Sequence, residues 1–373
     1  MEVNYSGDIM TLNMGPQHPS THGVLRLELK TDGEIVADAI PHIGYLHRCF
    51  EKHVENVDYG GVVPFTDRLD YCAAMNMELG YVLAVEKLMG IEINDRTRYL
   101  RVIMAELGRI ASHLIAAGTY GNDIGSFTPF LWCFRDREDI LDFFEETCGA
   151  RLLYNYNCVG GLSHDIKPGL EDKIIQFLDR FEPEVDNLNR LLSDNFIFIK
   201  RTADVGILSP EKAISYGVTG PNLRGSGVRF DVRKDEPYLG YEEFDFDVQV
   251  GKGEHGKLGS CWDRYMVRIR EVKESCKIVR QAIEKLTPGD VRETVPKRVK
   301  PPKGEVYMRT ECPRGELGYF IVSDGSMKPY RLKVKSPCFT IMSAFRELCR
   351  GTMIADVVSI LGSIDIVLGE IDR

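Results

Sequence analysis

Apolar residues recur every three to four positions over residues 68–89, 98–117, 140–153 and 170–192, which predicts four long amphipathic helices. Gly160-Gly161 and Pro168-Gly169 interrupt the pattern between the last two. A strongly charged helix is expected over residues 263–286 and a final one over 343–361. Strand-like alternation is confined to the two ends. Residues 8–13, 24–29 and 34–40 alternate; Gly15-Pro16 turns the chain after the first, and Thr31-Asp32-Gly33 joins the other two as a hairpin. Residues 304–340 read as a small meander with turns at Pro313-Arg314-Gly315 and Asp324-Gly325. Residues 202–253, rich in Gly, aromatic and β-branched residues, predict loops with short strands, and Pro288, Pro296, Pro301 and Pro302 mark a linker. The pattern predicts an α+β chain: a β-rich segment over 1–65, a helical core with an irregular insertion over 66–286, a linker over 287–303, and a β meander with a helix over 304–373.

Composition narrows the function. A net charge of −9 argues against an electrostatic nucleic-acid binder, which carries a basic face. No run approaches the roughly 20 apolar residues of a membrane-spanning helix. The start of the chain lacks the basic flank and apolar run of a signal peptide, so a cytoplasmic chain that meets a membrane through partners is expected. Ten cysteines are present, and none forms a Cys-x-x-Cys pair. Zinc and iron–sulfur sites usually take paired ligands from one tight turn, so buried reduced thiols are the expectation.

Four features carry candidate chemistry. Residues 251–256 fit G-x-G-x-x-G after an apparent strand over 244–250, but Leu258-Gly259-Ser260 intervenes before any helix begins. A dinucleotide fingerprint needs its last glycine to open the helix, so a glycine-rich loop is the better reading. His18 and His22 are four residues apart in a run dense in turn formers. Pro19 between them excludes a shared helical face, leaving hydrogen-bonded turn imidazoles or an imidazole held over a pocket. Thr66 is positioned to cap the next helix, which places Tyr71 in its first turn. Asp123 is expected in a loop between two helices.

Taken together these features resemble one family. The string Asn13-Met14-Gly15-Pro16-Gln17-His18-Pro19-Ser20-Thr21-His22-Gly23-Val24-Leu25-Arg26 resembles the signature of the D-type subunit of complex I, the one that forms its quinone site. So do Pro41-His42-Ile43-Gly44-Tyr45-Leu46-His47-Arg48, Arg109-Ile110-Ala111-Ser112-His113-Leu114 and Arg314-Gly315-Glu316-Leu317-Gly318-Tyr319. The resemblance runs from about residue 8 to Arg373. That family is similar to the large subunit of nickel–iron hydrogenases, which implies a hydrogenase large subunit-like fold. Those enzymes end in Asp-Pro-Cys-x-x-Cys, whose thiolates hold the metal. Here Val367 and Glu370 stand in their places, so no bound metal is expected.

The resemblance implies a quinone head-group pocket in the emptied metal cavity. His22 and Tyr71 would hydrogen-bond the two quinone oxygens, with Asp123 as partner of His22, and these three are the implied catalytic residues. Arg48, Arg68, Leu153 and Cys158 match positions adjoining a 4Fe-4S cluster held by a neighbouring protein of the complex. Many relatives carry His in place of Leu153 and Arg in place of Cys158. With fewer positive or titrating groups there, a low-potential acceptor such as menaquinone is the expected substrate. The implied partners are the other complex I proteins: the cluster-bearing B-type, the C-type and I-type subunits, and the membrane-embedded H-type subunit. No cofactor is implied for this chain itself. The implied location is the cytoplasmic face of the membrane, in a peripheral position coupled to proton translocation. A structural docking role and a hydrogenase-like large subunit are the alternative readings.

Overall fold

The computed structural model describes residues 9–17, 21, 23–296 and 298–373. Its elements in chain order begin with strands β1 (Met10–Met14), β2 (Arg26–Asp32) and β3 (Ile35–His42), which pair antiparallel in that order with Leu12 opposite Leu29 and Leu29 opposite Ala39. Short helices α1 (Phe50–Val54) and α2 (Val63–Thr66) lead to α3 (Ala74–Met89), α4 (Asp95–Asp123) and α5 (Thr128–Cys148). A two-residue ladder of β4 (Asn157–Cys158) and β5 (Gly161–Leu162) precedes α6 (Leu170–Leu188), which runs into a π-helical turn at Asn189–Ser193. Then follow α7 (Phe196–Thr202), α8 (Pro210–Ser215), α9 (Gly220–Gly225), α10 (Val232–Asp235) and the long α11 (Cys261–Glu284). The chain closes with the antiparallel meander β6 (Gly304–Cys312), β7 (Gly315–Ser323) and β8 (Arg331–Lys335), then α12 (Pro337–Cys349), α13 (Ile354–Ile364) and α14 (Leu368–Asp372).

Helix α4 is the axis of the core. Asn94 caps it, Oδ1 accepting from the Thr97 amide at 2.9 Å, and Asp95 adds negative charge to its first turn. It is longer than its apolar period predicts because Gly118 and Gly121 act as contact points. A Cβ on Gly118 would stand 3.2 Å from the Phe130 Cα, so the missing side chain lets α5 approach. Helices α3, α5, α11 and α13 surround α4, and its apolar residues join theirs in the main core. A second cluster fills the space between the other face of α3 and the C-terminal sheet, where Tyr81 meets Tyr319 edge to face at 5.9 Å.

Three segments depart from the sequence reading. Helix α3 starts at Ala74, not at residue 68, and Thr66 caps nothing: its hydroxyl donates to the Val63 carbonyl at 2.7 Å at the end of α2. Residues 67–73 form turns because Asp70 Oδ1 accepts from the Cys72 amide at 3.1 Å, a local bond that competes with the helix. The single terminal helix is split, since β3 captures the intervening backbone: the Gly351 amide donates to Val36 and the Ile354 amide to Glu34. The strands expected within 202–253 are absent among the described residues. Extended residues 244–250 find side chains of α11 in place of a partner strand, with the Asp245 amide donating to Gln281 at 2.8 Å and Asp247 to Glu274 at 3.0 Å.

The glycine-rich loop has its own anion. Amides of Lys252 and Gly253 donate to Asp263 Oδ1 at 3.1 and 3.0 Å, and that of Gly259 donates to Asp263 Oδ2 at 3.1 Å. The carboxylate of α11 thus occupies the place a pyrophosphate would need. Among the described residues no helix is long and apolar enough to cross a membrane.

Candidate functional site

Three stretches far apart in sequence converge on the turn that carries Tyr71. The hairpin between β1 and β2 is one. A Cβ on Gly23, at φ 125°, would stand 3.1 Å from the Leu368 side chain, so this turn lies against α14. His22, like His18, lies outside the described residues, while its neighbour Thr21 is fully buried. The C-terminal segment is the second. A Cβ on Gly369 would meet the Leu69 carbonyl oxygen at 2.8 Å and that of Arg68 at 3.0 Å, which seats α14 directly on the turn. Asp372 ties it further, accepting from the Gly44 and Leu46 amides at 2.8 and 2.7 Å.

The tip of the β6–β7 hairpin is the third stretch, and it delivers Arg314. This buried guanidinium donates to Asp70 Oδ2 at 2.6 Å, to the Ser112 hydroxyl at 2.8 Å and to the Asp365 carbonyl at 3.1 Å. Its remaining nitrogen lies 3.3 Å from Asp365 Oδ1. The end of α4 carries Asp123. Asp123 is the last residue of that helix and not a loop residue, because Gly121 and Gly362 leave room for the helix to continue; a Cβ on Gly362 would lie 3.1 Å from Asp123 Oδ2.

Tyr71 itself is 41 % exposed on the turn, beside Asp70 and Arg314. Partial withdrawal from water and the neighbouring Cys72 raise its phenol above the usual range, against the pull of Arg314. The carboxyls around it also hold protons more tightly than usual. Burial lifts Asp70 despite Arg314. Glu370, fully buried, is pushed up to about 7 by burial and then by Asp70. One of its oxygens accepts a long 3.4 Å bond from the Cys338 amide, and the other is an orphaned buried oxygen among the described residues. Thiols of Cys72 and Cys338 are raised by the same burial and stay neutral. These groups offer protons and hydrogen bonds, and Val367 beside Glu370 offers hydrocarbon where a soft metal would need sulfur.

Arg48, Arg68, Leu153 and Cys158 occupy two segments stitched together at one edge of this turn. Arg48 donates to the Arg68 carbonyl at 2.6 Å, and the pair walls a pocket of about 180 Å³ with Phe50, His53 and Phe65. The Asn155 amide donates to Asp67 Oδ2 at 3.1 Å, which fastens residues 153–158 to the same turn. Arg101 holds the far end of that segment, donating to the carbonyls of Cys158 and Gly161 at 2.9 Å.

The family described as the 49 kDa subunit of the respiratory-chain NADH dehydrogenase matches residues 123–301 and 293–373. Proteins named as the D-type subunit of NADH-quinone oxidoreductase match the whole chain. That of Chlorobium luteolum is 54 % identical over 100 % of this chain and 95 % of its own length. Those of Prosthecochloris aestuarii and Chlorobaculum tepidum are 54 % and 53 % identical, each over 100 % of this chain and 94 % of their own. The chain belongs to the 49 kDa subunit family of the respiratory NADH dehydrogenase.

Within this family member, sequence reasoning singled out Tyr71 and Asp123 but missed the roles of Asp70, Asp67 and Arg314. The signal was available only in part. Asp67 and Asp70 flank Arg68 and Leu69 in a short string that reads equally well as the charged first turn of a helix. Arg314 sits at a hairpin tip, where a cation is ordinarily solvated, and only the tertiary fold buries it.

Proposed function

We propose that the chain forms the quinone site of a complex I-type NADH-quinone oxidoreductase, with a pocket descended from the metal cavity of a hydrogenase-like ancestor. Converting a quinone to its quinol takes two electrons and two protons. The electrons come from a 4Fe-4S cluster of the neighbouring B-type subunit, lying against Arg48, Arg68 and residues 153–158. The protons enter through this chain. Tyr71 donates a hydrogen bond and then a proton to one quinone oxygen, and His22 serves the other with Asp123 as its charge partner. The C-type, I-type and membrane-embedded H-type subunits complete the docking, on the cytoplasmic side of the membrane. The substrate is menaquinone, and its reduction is coupled to proton translocation.

The observation that carries this reading is Tyr71: a half-exposed phenol with a raised proton affinity, next to the buried Asp70, whose proton affinity is raised too, and Asp70 in turn helps to push Glu370 up to about 7. Tyr71→Phe removes one hydroxyl and little volume. It is expected to lower quinone reduction by about 10²-fold in membranes, with cluster reduction and assembly unchanged. Full activity in Tyr71→Phe removes it from the chemistry, and leaves a docking protein whose polar turn is packing.

A further inference from the structure

Asp67 and Glu78 are buried to 1 % and 0 % exposure, and among the described residues neither forms an ion pair. Each spends one oxygen on the segment that follows α5. Asp67 Oδ2 accepts from the Asn155 amide at 3.1 Å. Glu78 Oε2 accepts from the amides of Tyr156 and Asn157 at 2.9 and 2.7 Å and from the Asn157 side chain at 3.2 Å. The other two oxygens, Asp67 Oδ1 and Glu78 Oε1, are buried with no hydrogen-bond partner among the described residues, and the two carboxyls, both bound to the consecutive amides of residues 155–157, are close enough to act on each other's charge. Two neighbouring carboxyls, buried and paired with no cation, cannot both ionise, so one of them keeps a proton.

We propose that Asp67 and Glu78 form a proton-binding site that shares one proton at rest and takes up a second when negative charge is added beside residues 153–158.

The surroundings favour uptake. Burial raises both groups, and the charge of Asp67 raises Glu78 further. Arg68 on the same turn is exposed, and Arg137 on α5 faces Tyr154. The remaining titratable neighbours, Cys148 at the end of α5, Tyr154 and Cys158 on the segment and Tyr319 on β7, have raised proton affinities and are neutral. The pair is also mechanically tied to the segment. Leu153 and Asn155 hold φ of 61° and 48°, the left-handed region, which a residue with a side chain adopts where neighbouring bonds impose it. Three backbone amides bound to the pair supply those bonds.

The coupling rests on the reading that a partner's iron–sulfur cluster lies against this segment. The electron reduces that cluster, a proton from water joins the remaining carboxylate, and the pair becomes neutral; nothing in this chain is oxidised or reduced. The test is redox-difference infrared spectroscopy of the assembled complex in H2O and D2O, with cluster reduction followed by electron paramagnetic resonance. The wild type is expected to gain a deuterium-sensitive protonated-carboxyl band on reduction. That band is lost in Asp67→Asn and in Glu78→Gln. The pH dependence of the cluster's midpoint potential flattens in both. A wild type without the band, or a band that persists in either variant, overturns the proposal; if one variant does not assemble, the other reads the same band. Tyr71→Phe is scored separately: full quinone reduction there with the band lost in the pair variants removes the quinone reading and keeps the proton site.

Discussion

Two buried charge assemblies share α4 and behave in opposite ways. Around its middle, four carboxylates (Glu106, Asp231, Glu271 and Glu311) interlock with Arg109, Arg224 and Arg233. Burial alone would raise these acids, but their guanidinium partners reverse it and hold Glu106 and Glu271 near 2. Glu311, the acid in excess of the three arginines, is the exception at about 7, again through burial. His113 shares a 3.1 Å hydrogen bond with Glu271, and burial lowers it to about 4, so its imidazole is neutral. Around Tyr71 the proportions invert. Asp70 acts on Glu370 and Asp67 on Glu78, and Arg314 directly pairs only Asp70 among these four. All four are raised. Matched charge makes a brace; unmatched acid makes a proton store.

The sharpest way to break this contrast is to unmatch the brace. Arg224→Met leaves Glu271 and Glu311 buried without their guanidinium, and is expected to cost about 3–5 kcal/mol. Native gels should show the chain missing from the assembled complex; normal assembly would mean that the brace carries little stability. The opposite outcome is expected at the proton store. Glu370 binds its proton more tightly folded, at about 7 against an ordinary 4.5, so the folded state is favoured below 4.5 and loses that advantage as pH rises to 7. Glu370→Gln should therefore leave the thermal inactivation of the complex unchanged at pH 4.5 and stabilise it at pH 8, by up to about 3 kcal/mol. Equal behaviour at both pH values would place Glu370 among the matched charges.

Smaller effects sharpen the boundary between the regions. Gly369→Ala pushes a methyl into the carbonyls of Arg68 and Leu69 and is expected to cost about 1–3 kcal/mol while shifting the Tyr71 turn. The check is thermal inactivation together with the affinity for a quinone analogue, and a variant with both unchanged would show that α14 does not position the turn. Asp165→Asn, which breaks the half-exposed pair with Arg96, should cost less than about 1 kcal/mol in the same inactivation assay. A larger loss would mean that surface pairing matters as much as the buried brace.

Much of this was legible along the chain. The helical period located the α4 and α11 bodies, turn residues located both hairpins, and local chemistry argued against the glycine-rich loop as a nucleotide site, a place that Asp263 fills in the fold. The failures share one cause. The Tyr71 turn, the end of α4 and the break between α12 and α13 are each set by a group from elsewhere or by a competing side-chain bond: Arg314 and the Cys72 amide on Asp70, Gly362 beside Asp123, and β3 on Gly351. Periodicity cannot report them.

What the sequence determined by itself is the family, the helical core with its two terminal sheets, and the Val and Glu at positions 367 and 370, because these rest on local pattern and residue identity. Only the tertiary structure decided which charges meet. Asp70 and Arg314 are 244 positions apart in the chain, and so far apart that no spacing rule connects them. Asp67 and Glu78 lie closer but face each other only because the chain turns between them before α3 begins. Proton affinity depends on distance and burial, and both belong to the folded chain.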